Sequence, residues 1–183
     1  MKDTEFLANI KKIRDDARKH LMRGPITENY SLDLDNVIEL LNGALATELI
    51  CTLRYKQHHY RAAALGASVA AAEFLEHAIE ETDHADQLAQ RIMQLGGEPN
   101  FSPEGLGERA HADFVDCDTI DCMVEENLIA ERIAIDIYRA MINYIGYADP
   151  TTRKLLEDIL AIEEEHADDL LDVAAEYNVK LDG

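Results

Sequence analysis

The stretch AIEEEHADDLL (161–171) places three glutamates and a histidine inside a run that otherwise has the spacing of a helix core. A near copy, AIEETDHADQL (78–88), lies upstream, and the two share E-x-x-H-A-D-x-L, beginning at Glu81 and Glu163. Residues three apart on a helix share a face. Each copy therefore sets a carboxylate beside an imidazole: Glu81 with His84, and Glu163 with His166. Phe74, Ala78, Ala85, Leu88 and Ile92 flank the first pair at helical spacing; Leu156, Ile159, Leu160, Ala167 and Leu170 flank the second. Both pairs thus lie on the stripe that a helix turns toward a core.

Two further stripes carry the same anomaly. Glu48 stands among Leu41, Ala44, Leu45, Thr52 and Tyr55, and Glu131 among Leu128, Ala134, Ile135, Tyr138 and Ile142. In each, a tyrosine follows the glutamate by seven residues, two turns along the same face. Glu48 precedes Glu81 by 33 positions and Glu131 precedes Glu163 by 32, so the chain reads as two copies of one hairpin unit. Glu125 and Glu126 are rival carboxylates, but at about 100° per residue they lie roughly 120° and 140° round from Glu131. They read as surface charges.

The punctuation around these stripes predicts an all-α chain. A short helix over residues 4–22 stops before Gly24-Pro25. Four long helices follow, at about 35–65, 68–96, 118–146 and 150–178. Asp33 or Asp35 can cap the first long helix, Ser68 the second and Asp149 the fourth, with Pro150 at its first position. Short turns join the first helix to the second and the third to the fourth, which makes antiparallel neighbours. The segment 96–117, with two prolines and four glycines, is long enough to cross the bundle. The expected fold is a four-helix bundle of two hairpins with one long crossover, preceded by an extra helix. Residues 1–30 form the extension and 31–183 the bundle.

Four buried carboxylates would repel one another and cost several kcal/mol each to desolvate. Arg132 and Arg139 follow Glu131 and Tyr138 by one position and point off the stripe. Two divalent cations would neutralise the four charges, with two neutral imidazoles completing the set. Mixed oxygen and imidazole donors suit iron or manganese, and the lack of any C-x-x-C argues against structural zinc. One Glu from each of two helices and Glu-x-x-His from each of two others is the pattern of di-iron carboxylate bundles.

Composition narrows the classes. A chain of 183 residues, 47% apolar, suits one folded domain. The longest uncharged, largely apolar run, residues 62–72, falls short of the about 20 residues a membrane span needs. The N-terminus has no apolar signal-peptide core, so the expectation is a soluble cytoplasmic protein with no membrane partner. A net charge of −20 disfavours nucleic acid. Seven of the 17 basic residues lie in 2–23, interspersed with acids, and read as a solvated amphipathic arm. Three cysteines, Cys51, Cys117 and Cys122, argue by their odd number against a disulfide framework.

The residues Glu48 with Tyr55, EETDHAD (80–86), Glu131 with Tyr138, and EEEHADD (163–169) resemble the ferritin-like superfamily, specifically bacterioferritins and Dps-like ferritins. LNGALATEL (41–49), LGGEPN (95–100) and IGYAD (145–149) extend the resemblance over about 35–177. It implies two iron ions per subunit in a ferroxidase centre, manganese being the other metal of such sites. Glu48 and His84 would hold one ion, Glu131 and His166 the other, with Glu81 and Glu163 bridging. Tyr55 and Tyr138 would orient carboxylates or buffer oxidising equivalents; core filler with a bonded hydroxyl is an equal reading. Fe(II) would be oxidised by O2 or H2O2, and ferric mineral stored in a homo-oligomeric cage that protects against oxidative stress. Bacterioferritins ligate haem through a Met directly after the second-helix Glu; Thr82 stands there, so haem is not expected. Seventeen residues follow His166, too few for the fifth helix of 24-subunit cages. The extra N-terminal helix resembles Dps-like dodecamers, so 12 subunits are expected, with 24 as the alternative. Dps proteins proper build their site between subunits, whereas the ligand set here is complete within one.

Other functions fit the same residues: a di-iron or di-manganese peroxidase or catalase without storage, and a DNA-protecting shell. His58 and His59 read as surface or packing residues, and His77, one turn before Glu81, as support or packing. Cys51 reads as a small buried apolar residue. Some Dps-like relatives carry a cysteine pair near the iron site, but a spacing of five keeps Cys117 and Cys122 off a common helix face.

Overall fold

The computed structural model describes residues 3–181. Lys2 of the basic arm and the last two residues lie outside that range, and the side chains of 3–8 are not described. The helices are α1 (Asp3–Asp16), α2 (Leu34–Ala64), α3 (Ser68–Gln94), α4 (Leu106–Arg109), α5 (Ile120–Ile145) and α6 (Pro150–Tyr177). No strand occurs among the described residues. The fold is the expected all-helical bundle: α2 pairs with α3, α5 pairs with α6, and the crossover carries α4.

Local chemistry sets the helix ends. Asp33, Thr119 and Asp149 accept from the backbone N–H groups of Asn36, Cys122 and Thr152, capping α2, α5 and α6. Pro150 opens α6, where its missing N–H costs nothing. Ser68 does not cap α3; it is the first helical residue, and Ala67 before it offers no side-chain bond. Asn178 takes the left-handed conformation that ends α6. Gly97 meets α2 closely, since a Cβ there would come within 2.8 Å of Ile38. The N-terminal helix stops at Asp16, six residues short of the predicted end, and a separate 3-10 turn covers Leu21–Arg23. The described side chains of α1, those of residues 9–16, are mostly exposed.

A seam of polar contacts ties the crossover along α2. Asn42 donates to the Glu98 carbonyl and accepts from the Asn100 N–H. Thr47 accepts from the His111 N–H, Arg54 donates to the Asp113 carbonyl, and Arg61 donates to the Cys117 carbonyl. The crossover ends in a disulfide between Cys117 and Cys122, with Cα atoms 5.6 Å apart. This corrects the reading of the cysteines. Cys117 precedes the cap of α5, so helical spacing does not govern the pair, and buried Cys51 is the odd thiol left free.

By length and composition α2 is long and apolar enough to cross a membrane. More than half of its apolar 18-residue stretch is buried among the other helices, as befits the core helix of a bundle.

The apolar core comes in two parts. One contains Val37, Leu41, Leu45, Leu88, Ile145 and Leu156; the other contains Tyr55, Phe74, Ala78, Met123, Leu170 and Val173. Between them lies a layer of buried polar side chains.

Candidate metal centre

That layer contains Glu48 from α2, Glu81 and His84 from α3, Glu131 from α5, and Glu163 and His166 from α6. None is more than 3% exposed. Each occupies a place on its helix stripe that an apolar residue would otherwise fill. Glu125 is exposed and Glu126 half-buried, away from this layer.

The six form two overlapping groups, Glu48–Glu81–His84–Glu163 and Glu81–Glu131–Glu163–His166. The shared carboxylates divide their oxygens between them. His84 Nδ1 lies 3.2 Å from Glu81 Oε2 and 3.0 Å from Glu163 Oε1. His166 Nδ1 lies 3.8 Å from Glu81 Oε1 and 3.7 Å from Glu163 Oε2. Glu48 Oε2 stands 3.8 Å from the first imidazole, and Glu131 Oε2 stands 3.9 Å from the second.

These atoms lack the partners that buried polar groups normally have. Glu81 Oε1, Glu131 Oε2, both oxygens of Glu163, and His166 Nδ1 are buried without a hydrogen bond. Among the described residues no Lys or Arg forms an ion pair with any of the four carboxylates. Two divalent cations would supply what is missing, so the donor set fits a dinuclear oxygen and imidazole site.

The protonation pattern reflects the crowding. Burial pushes every carboxyl up. At Glu131 the neighbouring His166 and its charge outweigh it, with Glu163 and the Tyr55 hydroxyl adding to them, and hold the group at about 2. Glu48 is also lowered, because the neighbouring Glu81 and His84 and the Tyr138 hydroxyl together exceed the burial effect. Glu81 stays well above its ordinary value through burial and the charges of Glu163 and Glu48. Glu163 rises to about 7 through burial and the charge of Glu48. Burial disfavours charge on the imidazoles, but carboxylate contacts win; His166 rises to about 12, and His84 rises as well.

The tyrosines bond carboxylates across the bundle. Tyr55 donates to Glu131, not to Glu48 on its own helix, and Tyr138 donates to Glu48. The other nitrogen of His166, Nε2, lies 2.7 Å from Glu80 Oε2. Such a partner fixes the ring so that the opposite nitrogen faces the centre.

Sequence reasoning missed Glu80, although the glutamate doublet at 80–81 was a visible signal. It also missed Arg54, which is 1% exposed and donates to Asn127 Oδ1 at 2.9 Å. His58 joins the same network through Asn127 Oδ1 and the Val115 carbonyl. His59 contacts the Ala71 carbonyl at 2.6 Å, so both histidines have packing or hydrogen-bonding roles. A groove of about 470 Å³ between α3 and α6, lined in part by Glu80, Asp83 and Asp158, has His84 of the six in its wall.

Known proteins are similar to this chain. The ferritin-like domain family matches residues 38–178. A bacterioferritin from Rhodobacter capsulatus is 32% identical over 136 residues, covering 72% of this chain and 78% of its own. Among solved structures, a dodecameric thioferritin, the bacterioferritin-related protein of Bacteroides fragilis, superposes with a TM-score of 0.70. It is 32% identical, covering 80% of this chain and 89% of its own. The Desulfovibrio desulfuricans bacterioferritin, studied for its diiron site, gives a TM-score of 0.71 at 27% identity, over 79% of this chain and 81% of its own. With a family match over most of its length and a bundle of the same architecture, this chain belongs to the ferritin-like family.

Proposed function

We propose that the chain is a ferroxidase and iron-storage protein. It oxidises Fe(II) with O2 or H2O2 at a di-iron centre within each subunit and stores the ferric product in a homo-oligomeric cage. The observation that carries this reading is the division of Glu81 and Glu163, each turning one oxygen toward either imidazole. In this reading Glu48 and His84 hold one ion, Glu131 and His166 the other, and Glu81 and Glu163 bridge them.

Bound there, two ferrous ions supply one electron each to the oxidant. The protein holds six donors in a layer sealed above and below by apolar core, which costs no reorganisation during the reaction. Tyr55 and Tyr138 fix the carboxylates of Glu131 and Glu48. Glu80 keeps His166 turned inward.

A cage of 12 subunits is proposed, following the dodecameric Bacteroides fragilis protein, with 24 as the alternative. Leu53, Tyr60, Ile79, Ile129 and Leu171 are exposed apolar side chains that assembly would cover. Haem is left out, because Thr82 offers no thioether and bonds its own helix at the Ala78 carbonyl. The cytoplasmic location and the division into a 1–30 extension and a 31–183 bundle belong to the same proposal.

The test is stopped-flow ferric absorbance after anaerobic Fe(II) loading and addition of O2 or H2O2. The wild type should show a fast phase that Glu48→Ala and His166→Ala lose while keeping their helical circular dichroism. Unchanged rates in both variants would reject the centre. A monomer or dimer by light scattering would reject the cage. Metal analysis separates iron from manganese, and peroxide disproportionation without iron turnover would mark the peroxidase or catalase alternative. Gel retardation at moderate salt would mark a DNA-protecting shell.

A further inference from the structure

One turn from the buried layer, α3 and α6 carry a second group of donors. His77 is 1% exposed, yet neither of its ring nitrogens has a hydrogen-bond partner. Its Nε2 faces Glu73 Oε1 at 3.2 Å and Asp169 Oδ2 at 3.7 Å. The first contact is short enough for a hydrogen bond but lacks its alignment. Glu73, His77 and Asp169 can each turn one donor atom to a common point, those atoms lying within 4.8 Å of one another.

Leaving both nitrogens of a buried imidazole unpaired is costly. Packing alone gives no reason for it, since a buried phenylalanine would fill the same space without that cost. Two carboxylates facing the nitrogen add a second cost, because they repel each other. Among the described residues no Lys or Arg forms an ion pair with Glu73 or Asp169. A cation removes both costs at once.

We propose that Glu73, His77 and Asp169 form a third divalent-cation site, separate from the six-residue centre. Two carboxylate oxygens and one imidazole nitrogen are the donors expected for a first-row cation such as Fe(II) or Mn(II). Three protein ligands leave the remaining positions to water. The side chains of Glu73 and Asp169 are 27% and 41% exposed, so an ion arrives from solvent without opening the core. The His77 and His166 rings stack with centroids 4.0 Å apart, which sets this cation beside the buried pair.

Loss of the free Mn(II) electron paramagnetic resonance signal on titrating the full-length protein counts bound ions. Wild type should bind three per chain. Glu73→Gln/Asp169→Asn, which changes only partly exposed side chains, should bind one fewer and leave the buried pair intact. His77→Gln should lose the same ion; should its buried site fail to accept the change, the double variant decides alone. Glu81→Gln/Glu163→Gln should lose the pair and keep the third ion, with imidazole nitrogen modulation in its echo spectrum. An unchanged count in Glu73→Gln/Asp169→Asn overturns this site. Loss of that one ion from a protein that never binds the pair would uphold it and reject the di-iron reading.

Discussion

Tyr55 on α2 donates its hydroxyl hydrogen to Glu131 on α5, and Tyr138 on α5 returns the same bond to Glu48 on α2. Each hairpin thereby holds a carboxylate of the other. Burial, followed by the neighbouring glutamate charges, raises both phenols well above their usual value, so both remain protonated donors. Tyr55→Phe should leave Glu131 short of a partner and cost about 1–3 kcal/mol, the usual penalty for orphaning a buried acceptor. Ferrous oxidation should slow because the carboxylate is no longer fixed. Tyr138→Phe should act alike through Glu48. Urea unfolding with stopped-flow oxidation checks both, and wild-type behaviour would make the tyrosines mere filler.

The two donor groups overlap at Glu81 and Glu163 but not at Glu48. Glu48→Ala should therefore weaken one position of the buried pair, whereas Glu81→Gln should weaken both. Metal present at 100 times its dissociation constant stabilises a protein by about 2.7 kcal/mol per site. Anaerobic melts with and without Fe(II) should show a larger loss of metal-induced stabilisation in Glu81→Gln than in Glu48→Ala. Equal losses would mean that Glu81 does not serve two ions.

Asp149 gathers three parts of the chain. It caps α6, accepts two bonds from Arg91 Nη2 on α3, and accepts one from Tyr30 ahead of α2. Burial pushes its carboxyl up, but the Thr152 bonds and then Arg91 bring it below the ordinary value. A carboxyl lowered on folding adds stability above its unfolded value near 4, and that stability is lost as pH falls through the folded value. Asp149→Asn leaves the Arg91 charge buried and should cost about 3–5 kcal/mol at neutral pH. The gap from wild type should narrow in acid. Melts at neutral pH and near pH 3 measure this, and a gap independent of pH would show that the charge is not what matters.

The helices and the converging side chains were legible because both depend on order along one helix. Asp149-Pro150 and Asn178 bound α6, and Glu48, Glu81, Glu131 and Glu163 interrupt apolar stripes at core positions. What lay between helices was not legible. Periodicity gives the seven-residue step from Glu48 to Tyr55 but not the distance from Tyr55 to Glu131. Arg54 sits one position before a core tyrosine, off the apolar stripe by helical spacing. Its burial comes from the crossover at Asp113 and from Asn127 on α5. The Cys117–Cys122 bond escaped for the same reason, since one partner lies in irregular chain ahead of the helix.

Glu80 offers the sharpest separation of support from ligation. Its carboxylate accepts from His166 Nε2 and lies in neither of the two four-residue donor groups. A carboxylate on the far nitrogen raises the basicity of a ligating imidazole and fixes its ring, and losing one typically costs 10–100-fold in metal affinity or activity. Glu80→Ala should therefore weaken the position next to His166 by about that factor while the position next to His84 is spared. Glu80→Gln can still accept the hydrogen bond without the charge and should recover part of the loss. Isothermal titration with Mn(II), comparing the two variants with wild type, resolves the positions. Equal weakening of both would place Glu80 in a general field effect, since a partner acting through His166 alone cannot reach the imidazole on α3.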